Sequence, residues 1–266
     1  MTQQIRPPAV AGMFYVGDAP SLRGTIQSCL ERADPPRLDN VRAVIAPHAG
    51  YVYSGPVAAF AYRALAQQAA PRRIYLLGPA HRVWVSGVAL ADYDAFETPL
   101  GTYPVDRAQV RALVDSSPLF SVMNSAHAPE HSLEVQVPFL QTIYDAVPMV
   151  PLLFGEGDPV AVGDYLNGIL EPGDQIIVSS DLSHFHDNAT AHAIDRRFID
   201  AVLSGDLGGI EKSEACGQAP VMALHAIAQA RGWQPHLLDY RTSGDVVGDP
   251  SRVVGYAAIA YTEARS

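Results

Sequence analysis

The chain of 266 residues is 48% hydrophobic and 17% charged, enough apolar material for one large α/β domain or two small ones, and too much for a disordered chain. Its net charge of -10, with 18 Lys+Arg against 28 Asp+Glu and no basic run, would repel a phosphate backbone, so nucleic acid is not an expected partner. Lys212 is the single lysine, which leaves Schiff-base chemistry and lysine-dependent phosphate loops one candidate each.

The opening stretch "MTQQIRPPAVAGMFY" has no basic region followed by an apolar one, and no segment reaches the roughly 18 to 20 apolar residues of a membrane span. A cytoplasmic protein without membrane contact is expected. A helix is predicted over 22–32, with Cys29 inside it as buried filler. The two cysteines, Cys29 and Cys216, are too few for a disulfide framework and fit a reducing compartment.

A buried strand over 43–46 runs into Pro47-His48, and a helix is predicted over 56–68. The strand over 74–77 ends in "LLGPAH" with His81. Next comes "HAPEH" at 127–131, which matches a zinc-protease pattern of two histidines one turn apart on a helix. Pro129 between them blocks that helix and is expected at its first position, leaving His127 outside. The following "EHSLEVQVPFLQTIY" has helical spacing with a kink expected at Pro138, and His131 and Glu134 are candidates for facing a site.

Strands over 150–154 and 176–179 alternate with helices over 159–170, behind Asp158 as cap, and 191–203. The second of these strands ends in "SSDLSH", with Asp181 and His184. Cys216-Gly217 then precedes Pro220 and a helix running to about Arg231, a position that tends to lower a thiol pKa. The tail, "PHLLDYRTSG" and "RVVGYAAIAYTEA", reads as two more strands. Alternating strands and helices imply right-handed crossovers and a mainly parallel sheet in a single domain over 1–266, since no linker divides the chain.

One histidine at a strand end is ordinarily structural. Here three strands deliver imidazole or carboxylate at the same end, and in an open parallel sheet those ends share one crevice. Gly50, Gly78 and Ala80 are expected to let backbone and ligand approach closely there. Two histidines with Cys216 could hold a catalytic metal; two histidines with Asp181 would be the carboxylate triad of non-haem iron oxygenases. Thiolate favours Zn or Cu(I), and Fe(II) stays open. No G-x-S-x-G, Walker loop or G-x-G-x-x-G occurs, so serine hydrolase, NTPase and dinucleotide enzyme lack local support.

Seven segments in order, "RPPAVAGMFY", "APHAGYVYSGPVAA", "LLGPAHR", "EHSLEVQVPFLQ", "SSDLSHF", "ACGQAPV" and "YRTSGDVVGD...VVGYAA", resemble the Memo family, also called AmmeMemoRadiSam system protein B. That family is similar to the class III extradiol ring-cleaving dioxygenases, which implies a three-layer α/β/α sandwich. The resemblance implies His48, His81 and Cys216 as metal ligands, with Asp181 and His184 lining the pocket. It also implies metal-dependent redox chemistry, iron or copper binding and, in animal members, binding of receptor-derived phosphopeptides. The function expected is a metal-dependent dioxygenase-like oxidoreductase using Fe(II), with Cu or Zn as alternatives. His184 would be its general acid/base, Asp181 would orient it or a substrate hydroxyl, and His131 is a further candidate, because these groups exceed what holding an ion requires and suit acid/base work. The competing expectations are a pocket that binds a small molecule or peptide without turnover, a protein that handles iron or copper, and zinc hydrolysis.

Overall fold

The structure, a computed structural model, describes residues 3–264. Its strands are β1 (Ile5–Arg6), β2 (Val41–Ala46), β3 (Arg73–Pro79), β4 (Val88–Leu90), β5 (Ala95–Thr98), β6 (Gly101–Pro104), β7 (Phe120–Val122), β8 (Met149–Phe154), β9 (Asp174–Ser179), β10 (His184–His186), β11 (Gln234–Thr242) and β12 (Val253–Thr262). The helices are α1 (Ala19–Arg32), α2 (Tyr51–Ala66), α3 (Arg107–Ser116), α4 (Asn124–His127), α5 (Val137–Ile143), α6 (Pro159–Ile169), α7 (Asn188–Ser204), α8 (Leu207–Glu211), α9 (Gln218–Arg231) and α10 (Ser243–Val247).

The large sheet runs β10-β12-β2-β9-β3-β8-β4-β7, with β11 also on β12. Its centre, β2-β9-β3-β8, is parallel, and the strands joining each flank to it, β12 and β4, run antiparallel. Central strands carry apolar runs at 43–46, 149–154 and 176–178 because both of their faces are covered. Helices α1, α2 and α5 pack together, with α2 on β2 and β12; α6, α7, α8 and α9 form a second group, with α9 on β3 and β9. This is the expected α/β/α sandwich. β1, β5 and β6 make a small separate sheet.

Register aligns the chemistry. Ala46 lies opposite Ser179, and Leu77 opposite Val178, so β2, β3 and β9 end near one level. His48, His81 and Asp181 each follow two residues after their strand stops.

Three local expectations change. Helix α2 starts at Tyr51, five residues before Pro56. The carbonyl that loses its partner to Pro56 belongs to Val52, an exposed residue where water serves instead. Pro129 follows α4 rather than opening a helix, so His127 closes α4. Pro138 stands in the first turn of α5, where its missing N–H costs nothing, after a 3-10 turn over Glu134–Gln136. No kink is needed there.

The N-terminal segment is locked on by a buried ion pair. Arg6 Nη1 lies 2.7 Å from Glu134 Oε2, and Arg6 also donates to the carbonyls of His127 and Glu130. Glu134 accepts from the Ala9 and Val10 N–H groups and from Tyr15 Oη. Glu134 therefore anchors residues 6–15 and does not serve the site as expected. The anchor sets Phe14 against His131, ring centres 4.8 Å apart.

Candidate metal centre

Three imidazoles converge beyond the parallel strand ends. Ring centres are 5.3 Å apart for His48 and His81, 5.4 Å for His48 and His131, and 4.7 Å for His81 and His131, which stack. One nitrogen from each lies within 4.8 Å of the other two, so His48, His81 and His131 could hold a metal ion.

The hydrogen bonds around His48 fix its tautomer. Gln136 Nε2 donates to the Pro47 carbonyl and to Ser179 Oγ, which sets the amide's orientation. Ser179 Oγ spends its own proton on the Ser132 carbonyl, 2.6 Å away. Its contact with His48 Nδ1 at 2.8 Å must then be one in which Nδ1–H donates. The lone pair of His48 Nε2 is left for a cation. His48 is 2% exposed, and burial, with His81 and His131 adding to it, holds its pKa well below the ordinary histidine value.

Glu130 does the same for the His81 ring and holds the His131 backbone. His81 donates through its backbone N–H to Oε2 and through Nδ1 to Oε1. The N–H groups of His131 and Ser132 reach Oε1 as well. His131 Nδ1 lies 3.1 Å from that oxygen but off the angle of a hydrogen bond, and it has no other partner among the described residues. Burial opposes the charge on Glu130, yet the hydrogen bonds from His131, His81 and Ser132 outweigh it and hold the carboxyl well below its usual range. In all three rings Nδ1 faces a protein group, leaving Nε2 free, the arrangement a histidine ligand needs.

Cys216 Sγ lies 3.3 Å from His48 Nε2. Two ligands held about 2.0 to 2.3 Å from one ion stand roughly 3 to 3.7 Å apart, so this pair also fits a shared cation. Gly217 makes the approach possible: a Cβ there would lie 2.5 Å from Ser180 Cβ and 2.7 Å from the Ser179 carbonyl oxygen. Burial first, then Asp181, pushes the Cys216 thiol pKa up, the reverse of the lowering expected near a helix start. A bound cation would reverse it. Gly78 has a different use from the one expected, since a Cβ there would meet Leu133 and Ser132 rather than a ligand.

Asp181 Oδ1 accepts from the His48 and Ala49 N–H groups, and burial raises the carboxyl's pKa. Asp181, His131 and His184 line an open cleft of about 460 Å³ with Phe14, Tyr53 and Tyr256. Cys216 lines a second depression of about 270 Å³ with Ala80 and Trp84. His48 touches Cys216 and neighbours His131, so the imidazole cluster lies between the two hollows. His184 stands on β10, paired with β12, rather than on β9. His127 is apart from all of this: its Nε2–H donates to the Ala89 carbonyl in the core.

Sequence reasoning misses Glu130 and Ser179. An acid next to a candidate ligand histidine was the available signal for Glu130; Ser179 offered none.

The match to known proteins spans the same residues. The Memo-like protein family matches residues 6–260. A MEMO1 family protein of Methanothermobacter thermautotrophicus is 40% identical over 276 residues, covering 96% of this chain and 100% of that protein. One from Methanopyrus kandleri is 37% identical over 278 residues, covering 96% and 98%. An uncharacterized Escherichia coli K12 protein of known structure shares the fold, with a TM-score of 0.54 at 14% identity over 82% of this chain and 99% of that one. Arg6, the imidazole cluster and Cys216 all fall within the matched span, and the chain belongs to the Memo family.

Proposed function

We propose that the protein is a metal-dependent oxidoreductase of the non-haem extradiol dioxygenase type, with Fe(II) as its metal. The observation that carries this reading is a set of three imidazoles, two of them anchored through Nδ1, beside a cleft that offers Asp181 and His184 beyond what an ion needs. A bound metal would supply Lewis acidity and a redox change. His48, His81 and His131 would hold it, with Cys216 in reach through His48. His184 is the group placed to move a proton in the cleft, since its imidazole lines the wall there and can both donate and accept. Asp181 orients the His48 backbone through its fixed Oδ1. Phe14 and Tyr53 give the cleft aromatic lining.

The test is anaerobic purification, elemental analysis, and oxygen uptake on a panel of catechols. Stoichiometric iron with substrate-dependent oxygen consumption supports the reading. Tightly held metal that never consumes oxygen favours a second one, iron or copper handling. The observation behind that alternative is the soft Cys216 sulfur 3.3 Å from His48 Nε2, a pair suited to Cu(I).

A further inference from the structure

Arg252 lines the open cleft with His131, Asp181 and His184, and its guanidinium carbon stands 5.1 Å from the centre of the Phe185 ring. No carboxylate forms an ion pair with it among the described residues. Phe185 is itself unusual. Its φ of 64° is a conformation bulky side chains rarely adopt, and it remains 63% exposed, so core packing does not explain it. The strain falls where β10 slips register against β12 between His184 and His186, an irregularity of the kind that re-aims side chains beside sites.

The cleft has two carboxylates, and both are partly committed. Asp181 Oδ1 takes the His48 and Ala49 N–H groups, and Asp249 Oδ1 takes the N–H and hydroxyl of Ser251. Their charge disfavours a dianion such as phosphate more than a monoanion. Phe14, Tyr53, Tyr256, Val247 and Val254 supply aromatic and apolar wall, and about 460 Å³ suits a small molecule.

We propose that Arg252, propped on Phe185, selects small ligands that carry a carboxylate on an apolar or aromatic body. The carboxylate pairs with the guanidinium fork and the body extends toward His131 and His184. This rests on reading the cleft as the ligand site of the metal centre.

The experiment titrates benzoate, benzamide and phenyl phosphate into wild type, Arg252→Gln, Arg252→Lys and Phe185→Leu, by NMR, on metal-depleted and metal-loaded protein. Wild type should prefer benzoate, with shifts at His131 and Tyr256. Arg252→Gln should lose about tenfold or more for benzoate and nothing for benzamide. Arg252→Lys should restore part, Phe185→Leu should lose less, and melting temperatures should be unchanged. Equal binding of acid and amide, preference for phenyl phosphate, an Arg252→Gln variant that binds benzoate normally, or no saturable binding at millimolar benzoate overturns the proposal. Failure to bind metal with the benzoate preference intact would sink only the metal reading; metal uptake without that preference would sink only this one.

Discussion

His48 Nδ1 lies 2.8 Å from Ser179 Oγ, and the serine's proton is already committed to the Ser132 carbonyl. The serine thus dictates which ring nitrogen of His48 is bare. Ser179→Ala should free the ring to rotate or to take the other tautomer, lowering metal affinity roughly 10- to 100-fold. Because Gln136 Nε2 also loses an acceptor, stability should fall by about 1 to 3 kcal/mol. Competition titration with a metal chelator, beside a urea melt, separates the two effects; unchanged affinity would remove Ser179 from the site.

Glu130→Gln is the sharper test of the other two histidines. The carboxylate accepts from His81 N–H, His81 Nδ1, His131 N–H and Ser132 N–H, whereas an amide turns one acceptor oxygen into a donor. A buried donor facing N–H groups costs several kcal/mol, on the order of 2 to 4. Metal affinity should drop at least as much as in Ser179→Ala, since the His81 ring loses its anchor and the His131 backbone its acceptor. If the variant folds and binds metal normally, Glu130 is only a structural acid.

The local reading succeeded where chain period and strand length decide. Strands ending at Ala46 and Ser179, and the cap at Asp158, were legible because apolar runs and turn residues act over a few positions. What escaped was set over long distances. Arg6 and Glu134 are 128 residues apart and Glu130 reaches 49 residues back to His81, contacts no window of sequence contains. The Cys216 thiol shows the same limit in energetic form: a helix start favours thiolate, but burial and Asp181 override it. Likewise Pro56 looked like a helix start and sits within α2, because an exposed carbonyl finds water.

His131 and Cys216 can be told apart as further ligands by metal softness. With His48 and His81 in place, His131→Gln should weaken Fe(II) and Cu(I) binding alike, whereas Cys216→Ser should cost Cu(I) about 100-fold or more and Fe(II) little. Cys216→Asp would add a hard carboxylate and should shift preference toward Fe(II). Affinities measured anaerobically for both metals, with the thiolate charge-transfer band monitored on Co(II), give the answer. Equal loss of both metals in Cys216→Ser would make the thiolate an obligatory ligand.

His127 carries a prediction about stability rather than metal. Burial lowers its pKa from 6.5 to about 3, and its Nε2–H is held by the Ala89 carbonyl. Above about pH 6.5 the ring is neutral folded or unfolded, so it adds no pH dependence. Between 6.5 and 3 the unfolded chain binds a proton that the folded chain refuses, so stability falls with falling pH by up to about 1.4 kcal/mol per unit. His127→Gln keeps a donor for Ala89 but cannot titrate, and its stability should fall less steeply across that window. His48 and His225 are shifted the same way and remain in the variant, so a residual slope is expected. Urea unfolding of metal-depleted protein from pH 7.5 down to 5, above the range where carboxyl groups titrate strongly, measures the difference. Identical slopes for wild type and variant would mean that His127 takes up its proton within the fold, and the buried neutral assignment would be lost.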